Sequence, residues 1–192
     1  MQEYIEKPLL ISGRKFDVRA YAMVTSVNGL LKGWFYRDCY FRTSSKPFDL
    51  SDLSNRYVHL TNDAIQIAAE DYGKFENANK LSITDFQRYL DTNHEGKNVN
   101  FMRDLFPRME RLVTDTFRAS QKILDPNRNK NGFEIFGYDF MLDQDFNTFL
   151  IEVNTNPSLE ICCPLLARII PELLENSFRI AVDPLFQPVL LS

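Results

Sequence analysis

Glu152 and Asn154 close an apolar run, Phe149 to Asn154, and set a carboxylate and a carboxamide two positions apart. On a strand, alternate side chains share a face, so these two project with Leu150 while Phe149, Ile151 and Val153 project the other way. Upstream lies a second apolar run, and the polar stretch Asp143 to Asn147 between the two reads as a hairpin loop. A loop centred near Asp145 and Phe146 pairs Asp139 with Glu152 and Gly137 with Asn154, and gives Tyr138, Phe140, Ile151 and Val153 a common core face. Facing carboxylates on neighbouring strands sit roughly 4.5–5.5 Å apart at Cβ and repel. A divalent cation reverses the sign: Asp139, Glu152 and the Asn154 oxygen form an all-oxygen set suited to Mg²⁺ or Mn²⁺, which leave their other positions to water and phosphate. Gly137 adds no side chain where a ligand would enter. Spacing alone is equally compatible with Glu152 and Asn154 capping a strand end in solvent.

A second strand carries a charged face. Residues Gly13 to Tyr21 place Lys15, Asp17 and Arg19 on one side and Phe16, Val18 and Ala20 on the other. Such cations can hold phosphates or carboxylates, and Asp17 can orient one of them; a solvated sheet face has the same pattern. The elements that must position these residues follow from periodicity and punctuation. Asn28-Gly29 between two alternating runs, Phe16 to Val27 and Leu30 to Arg42, is a hairpin signature. Short helices are expected near Asn62 to Ala69 and Ser82 to Leu90, the latter opened by a hydroxyl cap. Pro107 suits the first turn of a longer helix running to Leu124, and another helix follows Pro164, with Pro171 as a point of kinking. Strands, helices, strands and a helix joined by hairpins predict a mixed α+β layer structure, not a doubly wound parallel sheet.

The 192 residues, 44% hydrophobic, suffice for one substantial core or part of a larger domain. Cys39, Cys162 and Cys163, with only His59 and His94 as companions, make neither a disulfide framework nor a zinc site, and reduced cytosolic thiols are expected. No apolar run is long enough to cross a bilayer and the first residues lack a secretory pattern, so no membrane association is expected. A net charge of −4 argues against broad attraction to nucleic acid.

Together with Phe41 to Thr43, His59 to Asn62, Phe136 to Phe140 and Leu150 to Glu160, the charged strand makes the chain resemble the tubulin–tyrosine ligase-like family, built on the ATP-grasp fold, from about Tyr4 to Pro184. The resemblance implies that residues 1–192 are a single partial domain, the C-terminal lobe of the catalytic domain, with the N-terminal lobe missing. It implies metal ligation by Asp139, Glu152 and Asn154, and ATP contacts from Lys15, Asp17, Thr61 and Asn62, with Gln2, Glu3, Tyr4 and Ile5 as the hinge beside adenine. Arg19 and Arg42 are similar to the arginines that hold the amino acid and the acidic acceptor tail. Ile67 stands where relatives commonly carry a Lys associated with amino-acid binding. The implied reaction is ATP-dependent amide formation between an acidic protein tail, tubulin's above all, and a free amino acid through an acyl phosphate. The implied location is the cytoplasm, at the cytoskeleton or cilium. A non-catalytic tubulin-binding remnant and a small-molecule carboxylate–amine ligase are the alternatives. In this reading His59 is a structural hydrogen-bonding residue, Cys162 and Cys163 are core residues, and Arg19, Arg42, Arg37 and Lys32 form a basic patch for the acceptor.

Overall fold

Asn28 and Gly29 both adopt positive φ, 52° and 78°, which reverses the chain in two residues and joins two strands of 14 residues each, β2 (Arg14–Val27) and β3 (Leu30–Thr43). Around them the computed structural model, which describes residues 2–186, adds β1 (Leu10–Ile11), β4 (Lys80–Ser82), β5 (Asn131–Leu142) and β6 (Thr148–Asn154). The strand order is β4-β3-β2-β5-β6, with β1 beside the start of β2, and every pairing is antiparallel. Among the described residues five α-helices accompany the sheet: α1 (Arg56–His59), α2 (Asp63–Gln66), α3 (Ile83–Asn93), α4 (Phe106–Leu124) and α5 (Pro164–Ala181). This is the expected α+β architecture, and it is consistent with an ATP-grasp-like lobe. No helix among the described residues is long and apolar enough to cross a membrane.

Alternation along β2 divides the interior. Phe16, Val18, Ala20, Ala22 and Val24 face a core closed by Phe86 and Leu90 of α3 and Met109 and Val113 of α4. The Ser82 hydroxyl accepts from the Asp85 amide and starts α3, and a proline in its first turn starts α4, as the sequence implies. On the opposite face, Tyr21 and Tyr40 pack under Leu166, Ile169, Ile170 and Leu173 of α5. That helix covers only part of the face. The remainder, toward the start of β2 and the end of β3, carries the charged side chains.

Two irregularities correct the expected registers. Asp139 does pair with Glu152 and Gly137 with Asn154, but the next pair is Phe140 with Leu150, so Ile151 is an extra residue in β6. A bulge of this kind moves the residues beyond it to the opposite face. Leu150 therefore packs on the core in the place expected of Ile151, while Val153 keeps its predicted pairing with Tyr138 but, on the edge strand, is 38% exposed. On β3 the register slips by two residues opposite Tyr21. Lys32 lies over the Trp34 ring on the far side of that slip, 4.1 Å from its centroid, and Arg37 borders a separate cavity beside α5, so neither extends a basic patch from Arg42.

Phe86 is fully buried, stacked on Phe41 and in contact with Phe16 and Phe101. Phe86→Ala is expected to lower stability by about 3–5 kcal/mol in chemical denaturation, whereas Leu30→Ala, at an exposed turn, should change it by less than about 0.5 kcal/mol.

Candidate active site

The strand registers lay charged residues in a row across the sheet. Tyr40 of β3 pairs with Arg19 of β2, Arg19 with Asp139 of β5, and Asp139 with Glu152 of β6, while Asp17 pairs with Arg42 one step along. Paired residues share a face, so the row is a consequence of register and not of loop conformation. Arg42 donates from Nε and Nη2 to the two oxygens of Asp17, at 2.7 and 2.6 Å, and its Nη2 also lies 2.8 Å from Asp139. Arg19 donates to both Asp139 oxygens, at 2.5 and 3.1 Å. The Thr61 hydroxyl donates to Asp17 at 2.7 Å. Asp17, Arg19, Arg42 and Asp139 are all buried.

Four charges in the interior would be prohibitive singly, but two carboxylates alternate with two guanidiniums in largely bidentate contact. Burial acts against the charge on Arg42, yet Asp17 and Asp139 overcome it and hold its pKa well above the usual arginine value. Burial likewise opposes charge on Asp139, and the two arginines override it, keeping that carboxyl below the usual range. Lys15 differs. Its ammonium lies 2.9 Å from the His59 carbonyl, 3.3 Å from the Tyr4 hydroxyl and 4.6 Å from the Tyr4 ring centroid. Desolvation lowers its pKa to about 8, with Asp17 in partial opposition.

His59 is structural, as the sequence suggests. Its Nε2 meets the Asp52 carbonyl at 2.9 Å and must donate there, so Nδ1 accepts from the Tyr4 hydroxyl at 2.7 Å. Of the hinge segment, Gln2 donates to the Ile151 carbonyl on the edge of β6, Glu3 is exposed, Tyr4 joins His59 and Lys15, and Ile5 is half-buried. Asn62 caps α2 by position with no side-chain bond and stays exposed.

Glu152 is exposed, half-buried Asn154 donates to it at 3.2 Å, and Asp139 faces it from β5. Among the described residues no three His, Cys, Asp or Glu side chains cluster as a metal site, so a cation here would need the Asn154 carboxamide as third ligand. The donors fit a hard divalent ion: all are oxygens, and the arginines occupy three of the roughly four acceptor positions of Asp139. Gly137 is not an entrance for ligands, contrary to the sequence reading. A Cβ there would lie 2.9 Å from Pro157, too close, and at an ordinary 3.5 Å from the Arg19 guanidinium, so glycine lets Pro157 close over β5.

Arg19, Arg42, Asn62 and Asn154 line one cavity of about 380 Å³. Sequence reasoning missed several of its other walls: Tyr40, Asp63, Tyr72, Glu160 and Cys162. Cys162 is exposed and is no core residue, whereas Cys163 is buried; all three cysteines are free. Glu160 stood inside a quoted motif. Asp63 opens the short helix expected after Asn62 and Tyr72 lies beyond it, but nothing local marks either as a cavity residue, and only folding brings them there.

With this geometry in hand, comparison with known proteins assigns the class. Residues 1–189 match the tubulin-tyrosine ligase family, and the chain belongs to it. It is similar to "Tubulin glycylase 3B" of Tetrahymena thermophila, 33% identical over 95% of this chain and 15% of that protein. It is also similar to "Probable tubulin polyglutamylase TTLL9" of Rattus norvegicus, 39% identical over 82% of this chain and 33% of the relative. "Protein monoglycylase TTLL8" of Homo sapiens is 34% identical over 95% of this chain and 21% of its own length. The chain thus spans a third or less of these relatives.

Lys15 makes stability depend on pH. Because its pKa falls from the ordinary 10.5 to about 8 on folding, its charge weakens the fold fully below pH 8, and the penalty fades as pH rises to 10.5. Lys15→Met should therefore be more stable than the parent by about 2–3 kcal/mol at pH 7, with the difference closing toward pH 10.5 in denaturation measured across that range.

Proposed function

We propose that this chain is part of an ATP-dependent ligase that joins a free amino acid to a carboxylate of an acidic protein tail, with tubulin as the acceptor. The observation that carries the reading is the buried Asp17–Arg42–Asp139–Arg19 chain opening onto a cavity beside Glu152 and Asn154, in a family whose similar members are named tubulin glycylases and polyglutamylases.

The chemistry follows from what such a site supplies. The acceptor carboxylate attacks the γ-phosphorus of ATP, ADP leaves, and the amine of the amino acid then attacks the acyl carbon and expels phosphate. Negative charge accumulates on phosphoryl oxygens in the first step and on the carbonyl oxygen in the second, so fixed cations are the main requirement. Arg19 and Arg42 provide them, already oriented by their carboxylates and needing little reorganisation. Lys15 offers a third cation toward the nucleotide, held by Tyr4 and the His59 carbonyl, with Gln2, Glu3, Tyr4 and Ile5 beside adenine and Asn62 open to the ligand. The hydroxyl of Thr61 acts through Asp17. Asp139, Glu152 and Asn154 would hold Mg²⁺ or Mn²⁺, which when bound neutralises phosphate charge. No protein nucleophile is required, and burial keeps the Cys162 thiol above its usual pKa. A tubulin substrate would place the protein at microtubules or cilia in the cytoplasm.

The test is amino-acid addition to tubulin by the full-length protein with Mg-ATP, read as added mass on the tails. Glu152→Gln should reduce the rate about 10²-fold or more while leaving the unfolding midpoint unchanged, because this exposed side chain supplies charge and not packing. Near-normal turnover in that variant would overturn the site assignment.

A further inference from the structure

The cavity that holds Arg19 and Arg42 has an opposing wall of definite charge. The Lys80 ammonium, on β4, is directed at Asp63 and lies 3.0 Å from the Ala78 carbonyl, and its side chain is 0% exposed. Asp63, which lines the cavity while Lys80 does not, thus pairs with and neutralises that buried cation. Glu160 adds a second carboxylate to the lining. The rest of the wall is neutral. Ile67 lines it and is 66% exposed, burial together with Asp63 pushes the Tyr72 phenol up to about 12, and burial raises the Cys162 thiol.

On the sheet side, Arg19 and Arg42 use Nε and Nη2 for their aspartates, and the Nη1 group of each makes no hydrogen bond among the described residues. We infer that this cavity takes an α-amino acid with an uncharged side chain and rejects glutamate, with Asp63 as the residue that sets the preference. The inference rests on the ligase reading. An α-carboxylate meets the Arg19 and Arg42 Nη1 donors, and the α-ammonium meets Asp63 and Glu160. A second carboxylate on the ligand would enter a wall of two carboxylates and neutral groups, with Lys80 already neutralised, and would lose hydration without gaining a partner.

The experiment measures kcat/KM of the full-length protein for glycine, tyrosine and glutamate with Mg-ATP and tubulin. Glycine or tyrosine should exceed glutamate at least tenfold. Asp63→Asn, which uncovers Lys80, should raise glutamate use about tenfold relative to the uncharged amino acid. Because that variant also leaves Lys80 buried without its carboxylate, Ile67→Arg provides a second arm: it adds a cation to an exposed wall and should shift the ratio the same way. Equal or greater use of glutamate by the parent, or an unmoved ratio in every variant that folds, would overturn the inference while leaving the ligase reading intact. Failure to join any amino acid would refute both.

Discussion

Asp17 and Asp139 hold Arg42 and Arg19 inside the protein, and most of the site depends on those contacts. Removing any one member strands its partner in a region of low dielectric, where the uncompensated charge costs about 3–5 kcal/mol. The arrangement therefore makes the geometry of these four charges a condition of folding. It also fixes other choices. Pro157, packed over β5, leaves room only for glycine at 137, and Thr61 offers a hydroxyl to complete the shell of Asp17.

The sheet makes this possible. Three neighbouring strands deliver the four charges at adjacent register positions, and α3 and α4 bury the opposite face of the same strands in an aromatic core. The side chains at the site thus inherit the rigidity of the packed layer. Glu152 and Asn154, on the edge strand β6, and Asn62, before α2, lie outside that buried set and are exposed or half-buried. These can exchange solvent for ligand without disturbing the buried charges.

Much of this was legible in the sequence because periodicity carries it. The alternation of Lys15, Asp17 and Arg19 against Phe16, Val18 and Ala20 predicted both faces of β2, and Asn28-Gly29 gave the turn to the residue. The Asp139–Glu152 pairing was also predictable, but from a loop centre that is only locally valid. The pairs nearest the turn are centred on Asp145, and the extra residue Ile151 restores the expected register at the site. Nothing in Phe149 to Asn154 marks the bulge, so Ile151 was given the core position that Leu150 takes, whereas Val153 does pair with Tyr138. Equally, the pattern around Arg19 and Arg42 could not distinguish solvated cations from buried ones, since their partners come from other strands and the cover comes from the segment around Thr61 and Pro157. The wall formed by Asp63, Tyr72 and Cys162 depends on long-range packing and leaves no local signal.

Fixed cations facing an acidic acceptor and a nucleotide are suited to activating a carboxylate by phosphorylation, because the charge they stabilise develops on oxygen and the protein forms no bond itself. The most direct test uses an acceptor tail whose carboxylates carry ¹⁸O, with the full-length protein, Mg-ATP and an amino acid. The proposed route transfers one ¹⁸O from the acceptor carboxylate to inorganic phosphate for each amide formed. Amide formation with unlabelled phosphate would contradict it.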